Sequence, residues 1–285
     1  MYYNEIKDNK ELIEAVQYYE EDPERAERIY GNISQWDVSR ITDMSGLFRR
    51  SRRNWFISSW DVSSVENFAS MFEGAKFFSQ ELSAWDTSSA VNMSGMFSGA
   101  ICFDGDISQW NTSNVTDMSF MFCQAKYFNQ DIGKWNTSRV MTTEGMFWGC
   151  RNLSQNLYWD TSSLKRSNSM FENCISFNGD LSSWDVSSLK ISDRMFKGCQ
   201  SFNSDISGWN TCSLERSVEM FDGAESFNSD ISGWNTRNIR FMSKMFYRSS
   251  SFQRNLDSWK TTRVIVMRDV FESCPCSRPR WYTGR

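Results

Sequence analysis

Histidine is absent from this 285-residue chain. That removes the commonest general base and the commonest metal ligand. Only three prolines occur, and no long Gly/Ser stretch divides the chain. Length alone would allow one or two domains. The opening run MYYNEIKDNKELIEAVQYYEEDPER has no apolar segment of the signal-peptide type, and no apolar run is long enough to span a membrane. The expectation from these absences is a cytosolic-type location. Net charge is small, at −4, which argues against a nucleic-acid binder acting through its whole surface. The tail CPCSRPRWYTGR holds one C-x-C, but zinc would need a second such pair or histidines beside it. No catalytic residue, metal ligand or cofactor site is expected.

What is present is periodic. Trp36, Trp60, Trp85, Trp110, Trp135, Trp159, Trp184, Trp209, Trp234 and Trp259 follow one another at 25 residues, twice at 24. Twelve residues after each stands a phenylalanine: Phe48, Phe72, Phe97, Phe122, Phe147, Phe171, Phe196, Phe221, Phe246 and Phe271. Such a period marks a solenoid, whose turns cannot bury their apolar faces singly and must stack. The aromatic columns are then core, with an exposed sugar-stacking platform as the alternative.

Three residues after each series phenylalanine lies a small residue, among them Ala125, Cys150, Cys174, Cys199 and Ser249. Cysteine alternating with alanine and serine reads as buried, reduced thiol. Within a turn, Val115, Met118, Met121 and Phe122 share the spacing of one helical face. Glycines two residues after the phenylalanine (Gly74, Gly99, Gly149, Gly198, Gly223) suit a left-handed helix end. Each turn is therefore expected to hold a short strand near the isoleucine (Ile132, for example), a bend and a short helix. Before the first turn, Leu12, Ala15, Val16 and Tyr19 share a helical face, and Asp22-Pro23 reads as a cap and first-turn proline. Two short helices would cover the open end.

The runs FNQDIGKWNTSRV, FNSDISGWNTCSL and FNSDISGWNTRNI, with NVTDMSFMF, resemble the BspA-like leucine-rich repeat family. That family shares its repeat with mycoplasma surface lipoproteins of unknown function. The likeness covers residues 31–273 and implies a leucine-rich-repeat-like solenoid that acts by binding, often at a bacterial surface. The chain departs from it in lacking a lipid-attachment cysteine near its start, and in placing Ser167, Ser192 and Ser217 where other turns have methionine, which predicts less regular middle turns.

The combined expectation is an α/β solenoid of about ten turns of 24–25 residues. Residues 1–30 form a helical cap, 31–273 the repeats and 274–285 a tail. The acidic column Asp106, Asp131, Asp180, Asp205 and Asp230 suits Asx-turns. A calcium ladder or a pair of catalytic carboxylates would be its sharper uses. Charge is polarised: residues 1–30 hold nine acids and four bases, net −5, while residues 234–285 hold eleven bases and three acids, net +8. Arg237, Arg240, Lys244 and Arg248 recur at three- and four-residue steps, as one helical face would require. They are the candidate partner-binding residues, with Arg254, Lys260, Arg263 and Arg268 adding charge. The expected function is a non-enzymatic scaffold for a protein partner. A carbohydrate-binding or carbohydrate-active solenoid is the alternative, and opposite charge at the two ends leaves head-to-tail self-association open.

Overall fold

Peptide N–H groups spaced one turn apart decide the architecture. In a computed structural model, which describes residues 5–284, parallel bridges run Asp43 to Asn67, Asn92, Asp117, Thr142, Arg166, Ile191, Arg216, Phe241 and Val266. Ten turns are thus joined edge to edge. Beside each bridge the ladder continues at every second residue. Met118, Phe120, Phe122 and Gln124 donate their N–H groups to the carbonyls of Thr142, Glu144, Met146 and Trp148, at 3.2, 2.7, 2.8 and 2.6 Å.

The intervening residues close tight turns within the chain: Met121 N–H reaches Met118 carbonyl, Cys123 reaches Phe120, and Ala125 reaches Phe122. This segment is not the short helix that the apolar spacing suggested. Two positions per turn have positive φ, such as Phe120 (56°) and Gln124 (59°), or Gly145 (59°) and Gly149 (76°). A left-handed residue at the third corner of a turn is the type II pattern and cannot continue an α-helix. Nor does a strand form near Ile132: the bridge lies at Asp117 and Thr142, on the other side of the turn. A carbonyl waiting in the next turn outcompetes the one four residues back. The glycine column did mark left-handed backbone, but within a chain of turns rather than at a helix end.

Two helices precede the stack, α1 (Asn9–Glu21) and α2 (Pro23–Tyr30). Asp8 and Asp22 cap them by accepting the N–H of Glu11 and Arg25. Leu12, Ala15 and Val16 are buried, and Tyr19 stands edge-on to Trp36 and Trp55 at 6.0 and 5.7 Å.

The core consists of columns. The ten series tryptophans are only 2–4 % exposed, so they offer no platform to a sugar. Neighbours stack at 6.2 Å for Trp85–Trp110 and 6.3 Å for Trp110–Trp135. Each series indole N–H from Trp60 to Trp259 donates to a carbonyl of the preceding turn, as Trp110 does to Leu82 at 3.0 Å and Trp135 to Ile107 at 3.0 Å. The phenylalanine column repeats at 5.6 Å for Phe97–Phe122. A third column, through Phe78, Phe103 and Phe128, presses against it, with Phe97 and Phe103 at 3.8 Å.

The small-residue column also bonds: Cys150 and Cys174 thiols donate to Phe122 and Phe147 carbonyls at 2.9 Å, and the Ser249 hydroxyl to Phe221 at 2.7 Å. All eight thiols are free. The middle turns are as regular as the rest. Ser167, Ser192 and Ser217 keep their ladder bonds at 3.0 Å, and their hydroxyls contact the sulfurs of Met195, Met220 and Met245 in the following turn. The missing methionine side chain is replaced by a polar contact to a neighbour's sulfur.

The tail also extends the stack. Trp281 lies 6.1 Å from Trp259, nearly parallel to it, and its indole donates to Leu256 carbonyl at 2.7 Å.

Candidate interaction surface

Most exposed positions of each turn repeat because their side chains hold the backbone. Asp106, Asp180 and Asp205 accept the N–H of Ser108, Ser182 and Ser207, each at 2.9 Å. The acidic column is therefore a set of Asx-turns. Hydrogen bonds from Ser108, Ser207 and Ser232 hold the Asp106, Asp205 and Asp230 carboxyls below the usual range. Two further Asx-turns stand in the same repeat, at Asn111 and Asp117.

One face escapes this constancy. Side chains flanking the ladder change chemistry from turn to turn while the backbone beneath them stays in register. Counting turns by their bridge residues from Asp43, the third to fifth present Val91, Phe120, Met141 and Trp148, all exposed. Phe120 lies flat across Gly145, where any Cβ would run into the ring.

The seventh and eighth turns carry ions that neutralise one another. Glu219 accepts from Arg194 at 2.9 Å and Lys197 at 2.6 Å, Lys197 also meets Asp222 at 3.1 Å, and Arg216 meets Asp193 at 2.7 Å. Burial alone would raise the Glu219 carboxyl, but the Lys197 and Arg194 cations hold it below its usual range.

The ninth turn is different. Its cations lie on aromatic rings and have no carboxylate within 4 Å among the described residues. Arg240 lies over Phe241 at 5.8 Å, with Arg216 over the same ring at 4.9 Å. Lys244 and Arg248 flank Tyr247 at 5.4 and 4.8 Å. Cation–π contact fixes a charged group without neutralising it.

Of the four candidate residues, Lys244 and Arg248 share the Tyr247 ring, but not on a helix: they occupy the two left-handed corners of their turn, at φ 56° and 58°. Arg237 is apart from them, exposed in the bend after Trp234, where its N–H bonds Asn235. Arg240 and Arg263 instead border an open cleft of about 380 Å³ with Lys190, Glu215 and Asn238. The tyrosine and phenylalanine plates, and the acids of the eighth turn, were not singled out from sequence. Only superposing the repeats and reading the ladder positions as columns would have shown them.

Among the described residues no helix is long and apolar enough to cross a membrane. A comparison with curated proteins finds no match. Among solved structures, the crystal structure of a leucine-rich repeat protein from Eubacterium ventriosum is similar at a TM-score of 0.44 and 12 % identity, covering 99 % of this chain and 91 % of that one. Five overlapping matches, at residues 19–130, 56–158, 77–184, 128–224 and 168–279, tile the chain with one family. Those matches reach from the N-terminal cap to the tail, and the chain belongs to the family described as Mycoplasma protein of unknown function, DUF285.

Proposed function

We propose that this protein is a non-enzymatic interaction scaffold that holds an acidic protein segment along its ladder face. The observation carrying this reading is the contrast between neighbouring turns. In the seventh and eighth, cations are paired with Glu219, Asp222 and Asp193. In the ninth, Arg240, Lys244 and Arg248 are steadied by rings and keep their charge available. Carboxylates of a partner can take the position that Glu219 takes one turn earlier, and bidentate contact with a guanidinium adds directionality. The exposed Phe120, Met141 and Trp148, four to five turns away, give apolar anchors on the same face, two of them of the aromatic type that is enriched at binding hot spots. Arg237 stands apart from this surface, in the bend after Trp234.

Replacing Arg240, Lys244 and Arg248 together by glutamate tests the reading. Capture of a partner from the source cell should fall at least tenfold, and capture by the unaltered protein should weaken steeply as salt rises, since exposed charges are screened over about 8 Å at physiological ionic strength. The circular dichroism spectrum should stay unchanged, because surface substitutions shift stability by only about 0.5 kcal/mol. Undiminished capture by the triple variant would overturn the proposal.

A further inference from the structure

Two thiols meet where the last turn gives way to the tail. Cys274 and Cys276 Sγ atoms lie 3.0 Å apart, in hydrogen-bond contact across Pro275. The other cysteines of the small-residue column, such as Cys150, are buried and committed to a carbonyl of the preceding turn. Cys274 keeps only a long contact, 3.5 Å, to Phe252 carbonyl and is half-buried. The tail sequence alone made this pair look like an accident of the repeat, but the fold brings both sulfurs to one point.

The two sulfurs are unequal. The contact with Cys276 draws the Cys274 thiol below its ordinary range, against the effect of burial, and the same contact pushes Cys276 up. The more exposed sulfur is therefore the readier nucleophile, and the buried one stands behind it as a resolving thiol.

We propose that Cys274 and Cys276 form a redox-active dithiol that closes to an intrachain disulfide by exchange with a small-molecule disulfide. Cys274 loses its proton, and its thiolate attacks one sulfur of the incoming disulfide. That S–S bond breaks, a mixed disulfide forms on Cys274, and the first small thiolate leaves. Cys276 then loses its proton and attacks the Cys274 sulfur, expelling the second small thiolate. Two electrons pass from the protein thiols to the small disulfide, and the two protons end on the released thiols or in solvent. Closing so short a loop restrains little of the unfolded chain, so the bond adds little stability and stays available for exchange. It also sits at the root of the segment that lays Trp281 on Trp259, so closing it alters the anchorage of that cover.

The experiment uses the full chain equilibrated in glutathione buffers from reducing to oxidising, quenched with acid and mapped by peptide mass. Oxidised glutathione should remove two hydrogens from the peptide containing Cys274 and Cys276, reversibly. Exposed Cys102 and half-buried Cys212 should carry glutathione adducts instead, as unpartnered thiols do. Cys276→Ser should trap glutathione on Cys274. Cys274→Ser, a change that Ser249 already makes in the same column, should leave Cys276 without an adduct. Tryptophan fluorescence confirms folding of both variants, and mapping of the unaltered chain decides the question if either fails to fold. A tail peptide that stays reduced in oxidised glutathione, or that gains two separate adducts, would overturn the proposal.

Discussion

At the scale of the residue, the tryptophan carries two tasks at once. Trp135 fills the core and its indole N–H satisfies Ile107 carbonyl. Truncating it leaves a cavity and an orphaned acceptor, so Trp135→Ala should cost about 3–5 kcal/mol in chemical denaturation. Glycines on the ladder separate two effects. A Cβ on Gly99, at φ 70°, meets only ordinary contacts with Gly74, so Gly99→Ala should cost about 1–2 kcal/mol for the left-handed backbone alone. At Gly145 the same atom also collides with the Phe120 ring, so Gly145→Ala should cost clearly more; equal midpoints for the two variants would show that Phe120 moves freely aside. Residue by residue, the apolar columns were legible from sequence because they recur at a fixed period. The left-handed corner shared by Phe120, Arg194 and Lys244 was not. Side chains of every class stand there, and only the ladder bonds impose the conformation.

At the scale of the element, the spacing of Met118, Met121 and Phe122 suits a helical face and a run of tight turns equally well. Local pattern could not choose between them, because the deciding carbonyls lie 24 residues away, in the next turn. The same separation hid the ion network: Arg194, Lys197 and Asp222 reach Glu219 or its partners only once the turns are stacked. That network has a pH signature. The Glu219 carboxyl is held below its unfolded range. Its contribution is complete above the unfolded value, about 4.3, and is lost as pH falls through the lower folded value. Urea midpoints of Glu219→Gln and the unaltered chain should therefore differ at neutral pH and converge in acid. A gap that persists at the most acidic pH would assign the effect to packing instead.

At the scale of the whole molecule, both ends of the stack are covered, by Tyr19 edge-on to Trp36 and by Trp281 on Trp259. The second cover escaped sequence reading because Trp281 follows Trp259 by 22 residues and so falls outside the period. The aromatic columns would otherwise end on bare rings able to accept another copy. A chain ending at Cys276 should therefore show a sedimenting mass that rises with protein concentration, while the full chain should not. Concentration dependence of the full chain would instead favour pairing of its oppositely charged ends.

The ladder face has one more consequence. Shifting the molecule along its axis by one turn superposes Trp on Trp, Phe on Phe and nearly every hydrogen bond. The interior therefore acts like a ruler with identical graduations and no numerals. Side chains such as Phe120, Trp148, Glu219 and Lys244 supply the numerals: under the proposed function they would tell a bound chain where along the ruler it has come to rest.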